Sequence, residues 1–98
     1  MTNTQNNIEQ LVNDIRIVLK SHPVKKASLF GSYVRGDNRK DSDVDILVEL
    51  EKGQSLLDLV GIEQDLEENL NKKFDVITYN SINPHIKESI LKYQMKIL

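Results

Sequence analysis

Apolar residues recur along this chain in two rhythms, and the alternation between the two predicts its elements. Ile8, Leu11, Val12, Ile15, Val18 and Leu19 fall three or four apart, which makes one stripe of an amphipathic helix. Asn6, with Glu9 three residues on, reads as the cap of that helix. Pro23 ends it near Ser21-His22, because the residue before a proline is pushed out of helical angles. A first strand follows over Val24–Phe30, with Ala27, Leu29 and Phe30 as its buried candidates, and Gly31 stops it. Residues 32–36 have room only for a short helical turn, and 37–42 read as a charged loop without apolar anchors. In the second strand, Val44–Leu50, the period-two rule sorts Val44, Ile46, Val48 and Leu50 to the inward face. Asp43, Asp45, Leu47 and Glu49 then share the other face.

After a turn at 51–54, Ser55 with Asp58 three residues on opens a second long helix through Leu70. Its apolar stripe is Leu56, Leu59, Val60, Leu66 and Leu70. Residues 73–78 make a third strand carrying a lone acid, Asp75, among Phe74, Val76 and Ile77. Asn83-Pro84 is an N-cap followed by proline at the first helical position, starting a final helix with Ile86, Ile90, Tyr93 and Ile97 on one side. The order α-β-α-β-α-β-α predicts an α/β fold, a small mixed sheet of about three strands flanked by helices. At 98 residues the chain reads as one domain, 1–98, with no room for a separate substrate-binding domain.

Composition narrows the function classes without choosing one. The chain is 39% hydrophobic and 29% charged, as in ordinary globular proteins. Net charge is −2, and no basic face stands out beyond short clusters such as Lys25-Lys26 and Lys72-Lys73, which argues against a dedicated nucleic-acid binder. Cysteine is absent, so disulfides, thiolate metal sites and cysteine nucleophiles are excluded within this chain. No apolar run is long enough to span a bilayer, and the first ten residues lack the basic and hydrophobic regions of a signal peptide. A cytoplasmic protein without membrane attachment is the expectation.

The chemistry concentrates between Gly31 and Leu50. A glycine between a strand end and a helical turn lets the backbone approach a ligand, and the free N–H groups of the turn can hold an anion. Gly31 and Ser32 are therefore either a phosphate cradle or simply a tight turn. Asp43 and Asp45 lie roughly 6.5 Å apart on one face of their strand. They are either a solvated strand start or hard oxygen ligands for a divalent cation such as magnesium. The run Asp41-Ser42-Asp43-Val44-Asp45 imitates the opening of a calcium-binding EF-hand loop, but Ile46 and Lys52 stand where that loop needs glycine and glutamate.

Asp75 is costly to bury unpaired, so it is either an edge residue facing water or part of a site. If its strand lies beside the second strand, three carboxylates face one side next to the Gly-Ser turn. That is the minimal apparatus for two-metal phosphoryl transfer, with Asp75 able to accept a hydroxyl proton. Arg35 can add a cationic contact to phosphates or simply brace the loop. His22 reads as a surface cap at a helix end and His85 as an exposed first-turn residue.

Taken together, Gly31-Ser32, ten intervening residues, Asp43-x-Asp45, Arg35-Gly36, Ser42 and the later Asp75 resemble the nucleotidyltransferase superfamily related to polymerase beta. More closely, the chain resembles its minimal branch, the MNT-type antitoxins of HEPN/MNT toxin–antitoxin pairs, and the resemblance runs from the first helix to the last. It implies adenylylation: transfer of AMP from ATP, with release of pyrophosphate, to a hydroxyl, a tyrosine, of a partner HEPN toxin. It implies further that Gly31 and Ser32 bind the triphosphate and that Asp43, Asp45 and Asp75 bind two magnesium ions. ATP as the nucleotide comes from the resemblance alone, as does a hetero-oligomer with the toxin. Two competing readings are a non-catalytic antitoxin that acts by binding, and a nucleotidyltransferase for a small molecule or RNA. The second is disfavoured by the small size and the acidic balance.

Overall fold

A computed structural model describes residues 4–36 and 43–98, with the side chains at 4–7, 32, 35 and 86 outside that description. Helix α1 spans Thr4–Leu19, strand β1 Val24–Phe30, the single-turn helix α2 Ser32–Arg35 and strand β2 Val44–Leu50. Helix α3 spans Leu56–Leu70, strand β3 Phe74–Thr78, helix α4 Pro84–Lys92 and strand β4 Met95–Lys96, with a 3-10 turn, Tyr79–Ser81, after β3. The strands form one mixed sheet in the order β3-β2-β1-β4. β1 is antiparallel to β2 and β4, while β2 and β3 are parallel, so α3 is the crossover between them.

The sheet buries one face under α1 and α3. Leu11, Val12, Ile15 and Leu19 of α1 join Ala27 and Leu29, Val44, Ile46 and Val48, Phe74 and Val76, and Ile62 and Leu66 of α3 in one core. The strand residues in that set alternate, as a sheet covered on one side requires. Asp45 and Asp75 therefore point away from the two long helices.

Most element boundaries match the sequence pattern, and the departures have identifiable causes. α1 is already helical at Thr4, so Asn6 lies inside its first turn and is not its cap. His22 is no isolated surface cap: its Nε2 pairs with Asp65 Oδ2 at 2.8 Å and ties the end of α1 to α3. In α3 the cap holds, with Ser55 N–H donating to Asp58 Oδ2 at 2.8 Å. The stripe is narrower than periodicity suggests. Leu56 and Val60 are 75% and 52% exposed, while Ile62, outside the predicted stripe, is fully buried. Leu56 and Val60 sit in the first turns, on the flank of the row Leu59-Ile62-Leu66-Leu70 that meets the sheet.

On the supposedly open sheet face Leu47 is also fully buried. Tyr79 reaches from the end of β3 to Ser28 of β1, Oη to Oγ 2.9 Å, and so must cross β2 where Leu47 faces Ser28. Ser28 is buried as a consequence, whereas Phe30, expected inside, is only half-buried. The final helix stops at Lys92. Tyr93 is its half-exposed C-cap, and Ile97 is buried beyond the helix because Met95–Lys96 becomes a fourth strand on the free edge of β1. Asn83 caps α4 as expected, its Oδ1 accepting the His85 N–H at 2.9 Å.

Candidate active site

Gly31 follows directly on β1 and takes a left-handed backbone, φ +82°, to turn into α2. A Cβ placed there would run into Oδ2 of Asp45, with Cγ at 3.1 Å and Cβ at 3.3 Å. The position thus excludes a side chain twice, by its dihedral and by the carboxylate packed against it. Phe30 is the register partner of Asp45, which explains the proximity: the turn leaves β1 directly beside the acid on β2.

Asp75 is in register with Asp45 across the parallel β2–β3 ladder, so the two carboxylates leave neighbouring strands from the same row and face. Asp43 precedes β2 by one residue and is exposed, two residues upstream of the half-buried Asp45. Phe30, Asp45 and Asp75 form one row across the sheet, with Gly31 at its end. Strand order, which decides whether Asp75 joins the pair, is settled by the crossover through α3.

Among the described residues no cluster of three or more His, Cys, Asp or Glu side chains is gathered closely enough to hold a metal ion by itself. The acids are instead spread along β2 and across to β3. Their oxygens suit a hard cation in kind. The backbone of Ser32 opens α2, but the side chains of Ser32 and Arg35 lie outside the described residues, as do Asp41 and Ser42. His85 is exposed in the first turn of α4.

Two features of the surroundings were not legible beforehand. Lys26 Nζ lies 5.0 Å over the ring of Tyr79, on the same sheet face as the acids. Glu67 and Glu63 of α3 accept the outward N–H groups of Phe74 and Val76, at 3.0 and 3.5 Å. In the sequence these two glutamates resemble any solvated helix face. Only their spacing of four, ahead of a strand, hints at more.

The nucleotidyltransferase domain family matches residues 12–97. The inferred protein adenylyltransferase MJ0435 of Methanocaldococcus jannaschii is 49% identical over 94% of this chain and 99% of its own length. Protein adenylyltransferase MntA of Thermococcus cleftensis is 41% identical over 70% of each chain. Among solved structures, an inferred minimal nucleotidyltransferase superposes with a TM-score of 0.78 at 26% identity, covering 96% of this chain and 95% of the other. A chain in the complex of a tri-AMPylated Shewanella oneidensis HEPN toxin with MNT antitoxin superposes with a TM-score of 0.69 at 18% identity, over 92% and 71%. No helix among the described residues is long and apolar enough to cross a membrane. With the Gly31 turn and the acids at the heads of β2 and β3 set on this sheet, the chain belongs to the nucleotidyltransferase domain family, among the minimal protein adenylyltransferases of the MntA type.

Proposed function

We propose that this protein transfers AMP from ATP to a tyrosine hydroxyl of a HEPN-type toxin and thereby neutralises it. The observation that carries the reading is the row Asp45–Asp75, in register on adjacent strands, with Gly31 forced bare against Asp45. Relatives known as protein adenylyltransferases support the reaction class, and the AMPylated toxin in a structural neighbour supports the acceptor class. The reaction is cytoplasmic, where ATP and the toxin meet, and the protein forms a hetero-oligomer with its toxin.

In this reading the first-turn N–H groups after Gly31, with Ser32 and Arg35, hold the triphosphate. Asp43, Asp45 and Asp75 would hold two magnesium ions, which would neutralise charge on the transferring and leaving phosphate oxygens. Asp75 accepts the proton of the tyrosine hydroxyl as that oxygen attacks the α-phosphorus. The new O–P bond forms, the bridge between the α- and β-phosphates breaks, and pyrophosphate leaves with the electron pair.

Replacing both Asp43 and Asp45 by Asn keeps the shape and removes the charge. Transfer of labelled AMP from ATP to the toxin is expected to fall by about a hundredfold or more, with the thermal melting temperature held near that of the wild type. Undiminished transfer by the double variant would refute the mechanism. Rescue of toxin-expressing cells by a transfer-dead variant would instead assign neutralisation to binding alone.

A further inference from the structure

We infer that Glu67, backed by Glu63 one turn earlier, is a positioning residue that fixes Asp75 opposite Asp45. The inference rests on the proposed adenylyl transfer and assigns residues outside the carboxylate row. Among the described residues β3 is an edge strand, with β2 as its only neighbour in the sheet. In a parallel ladder alternate N–H groups point toward the neighbouring strand, so those of Phe74 and Val76, on either side of Asp75, point away from β2. An edge strand left in that condition exposes unpaired donors and is held from one side only.

Here both donors are taken up. Glu67 accepts from Phe74 N–H at 3.0 Å and Glu63 from Val76 N–H at 3.5 Å. The match is geometric. Asn71, in the left-handed conformation at φ 54°, caps α3 and reverses the chain so that β3 returns along the helix. Four residues of helix rise about 6 Å and two residues of strand about 6.6 Å. Acids four apart on α3 therefore meet donors two apart on β3.

Each glutamate follows a buried core residue, Ile62 or Leu66, by one position, which places it beside the packed stripe at the strand's outer edge. Phe74 and Val76 are themselves buried on the core face. The backbone on both sides of Asp75 is thus held by core packing, by the ladder to β2 and by the two carboxylates, while Asp75 itself stays exposed. A proton acceptor or ligand on a fraying edge would lose its alignment, and displacement by even an ångström is costly at a reacting centre.

The test compares Glu63→Ala/Glu67→Ala with Glu63→Gln/Glu67→Gln, since glutamine keeps the acceptor oxygen and removes the charge. The alanine pair is expected to lower kcat for AMP transfer about tenfold or more with KM for ATP within about twofold. It should also speed amide hydrogen exchange at Phe74 and Val76 by a similar factor, leaving Ile46 unchanged. The glutamine pair is expected to restore kcat and protection to within about threefold of wild type. Wild-type kcat in the alanine pair, or a glutamine pair as impaired as the alanine pair, would overturn the assignment. A wild-type protein that transfers no AMP would instead overturn the function on which it rests, whatever the exchange rates show.

Discussion

At the scale of single residues, Gly31 shows how tightly a backbone position can be bound to a neighbouring side chain. Its φ of +82° already disfavours any L-residue, and Asp45 fills the space where a Cβ would go. Gly53 shares the first property, φ +90°, but has open space around it and lies in the turn before α3. Gly31→Ala and Gly53→Ala are therefore both expected to lose roughly 1–2 kcal/mol from left-handed strain, read by urea unfolding. Only Gly31→Ala should also displace the Asp45 carboxylate and lower AMP transfer, by about tenfold or more. The glycine and the three aspartates could be picked out of the sequence by residue type and spacing. The crowding of Gly31 against Asp45 could not, because it depends on β1 and β2 pairing with Phe30 opposite Asp45.

Among the elements, α3 carries the most of the fold's logic. Its start is readable from Ser55 and Asp58, and the apolar stripe carries it through Leu70. Its buried row was misread at Leu56 and Val60, because periodicity identifies a stripe but not how far the sheet beneath it extends. The consequence is a contrast between two leucines of one helix. Leu66→Ala, at a fully buried position, is expected to cost about 2–5 kcal/mol. Leu56→Ala, 75% exposed, should change stability by less than about 0.5 kcal/mol. Denaturant titration of the two variants checks both values, and equal losses would restore the sequence-based stripe.

For the molecule as a whole, the closing segment matters more than its length suggests. Ile97 is 2% exposed, its N–H donates to Ala27 O at 2.9 Å, and its carbonyl accepts from Arg16 Nε at 2.9 Å. It thus ties the closing segment to the edge of β1 and, 81 residues back along the chain, to Arg16 in the last turn of α1. Ile97→Ala is expected to destabilise the protein by about 2–5 kcal/mol, seen as a lowered midpoint in thermal or urea unfolding. Periodicity placed Ile97 on the apolar side of the final helix; it is buried instead beyond that helix, against the edge of β1. The exposed Lys25–Glu49 ion pair, 3.7 Å apart, adds little at this scale because solvent and salt screen it.

The sequence by itself determined the kinds of element, most of their limits and the residues with chemistry to offer, because caps, breakers and hydrophobic periods are local properties of the chain. It also carried the pattern Gly31-Ser32, Asp43-x-Asp45 and Asp75 on which the resemblance to the family rests. Tertiary structure decided what local rules cannot reach. Strand order brought Asp75 beside Asp45, and a strand at Met95–Lys96 formed because β1 had a free edge to pair. Tyr79 and Ser28 buried Leu47 on a face that alternation had left to solvent. Glu63 and Glu67 found partners only once α3 and β3 ran side by side. In each case the deciding interaction joins residues far apart in sequence, and its strength depends on a neighbour that no local pattern specifies.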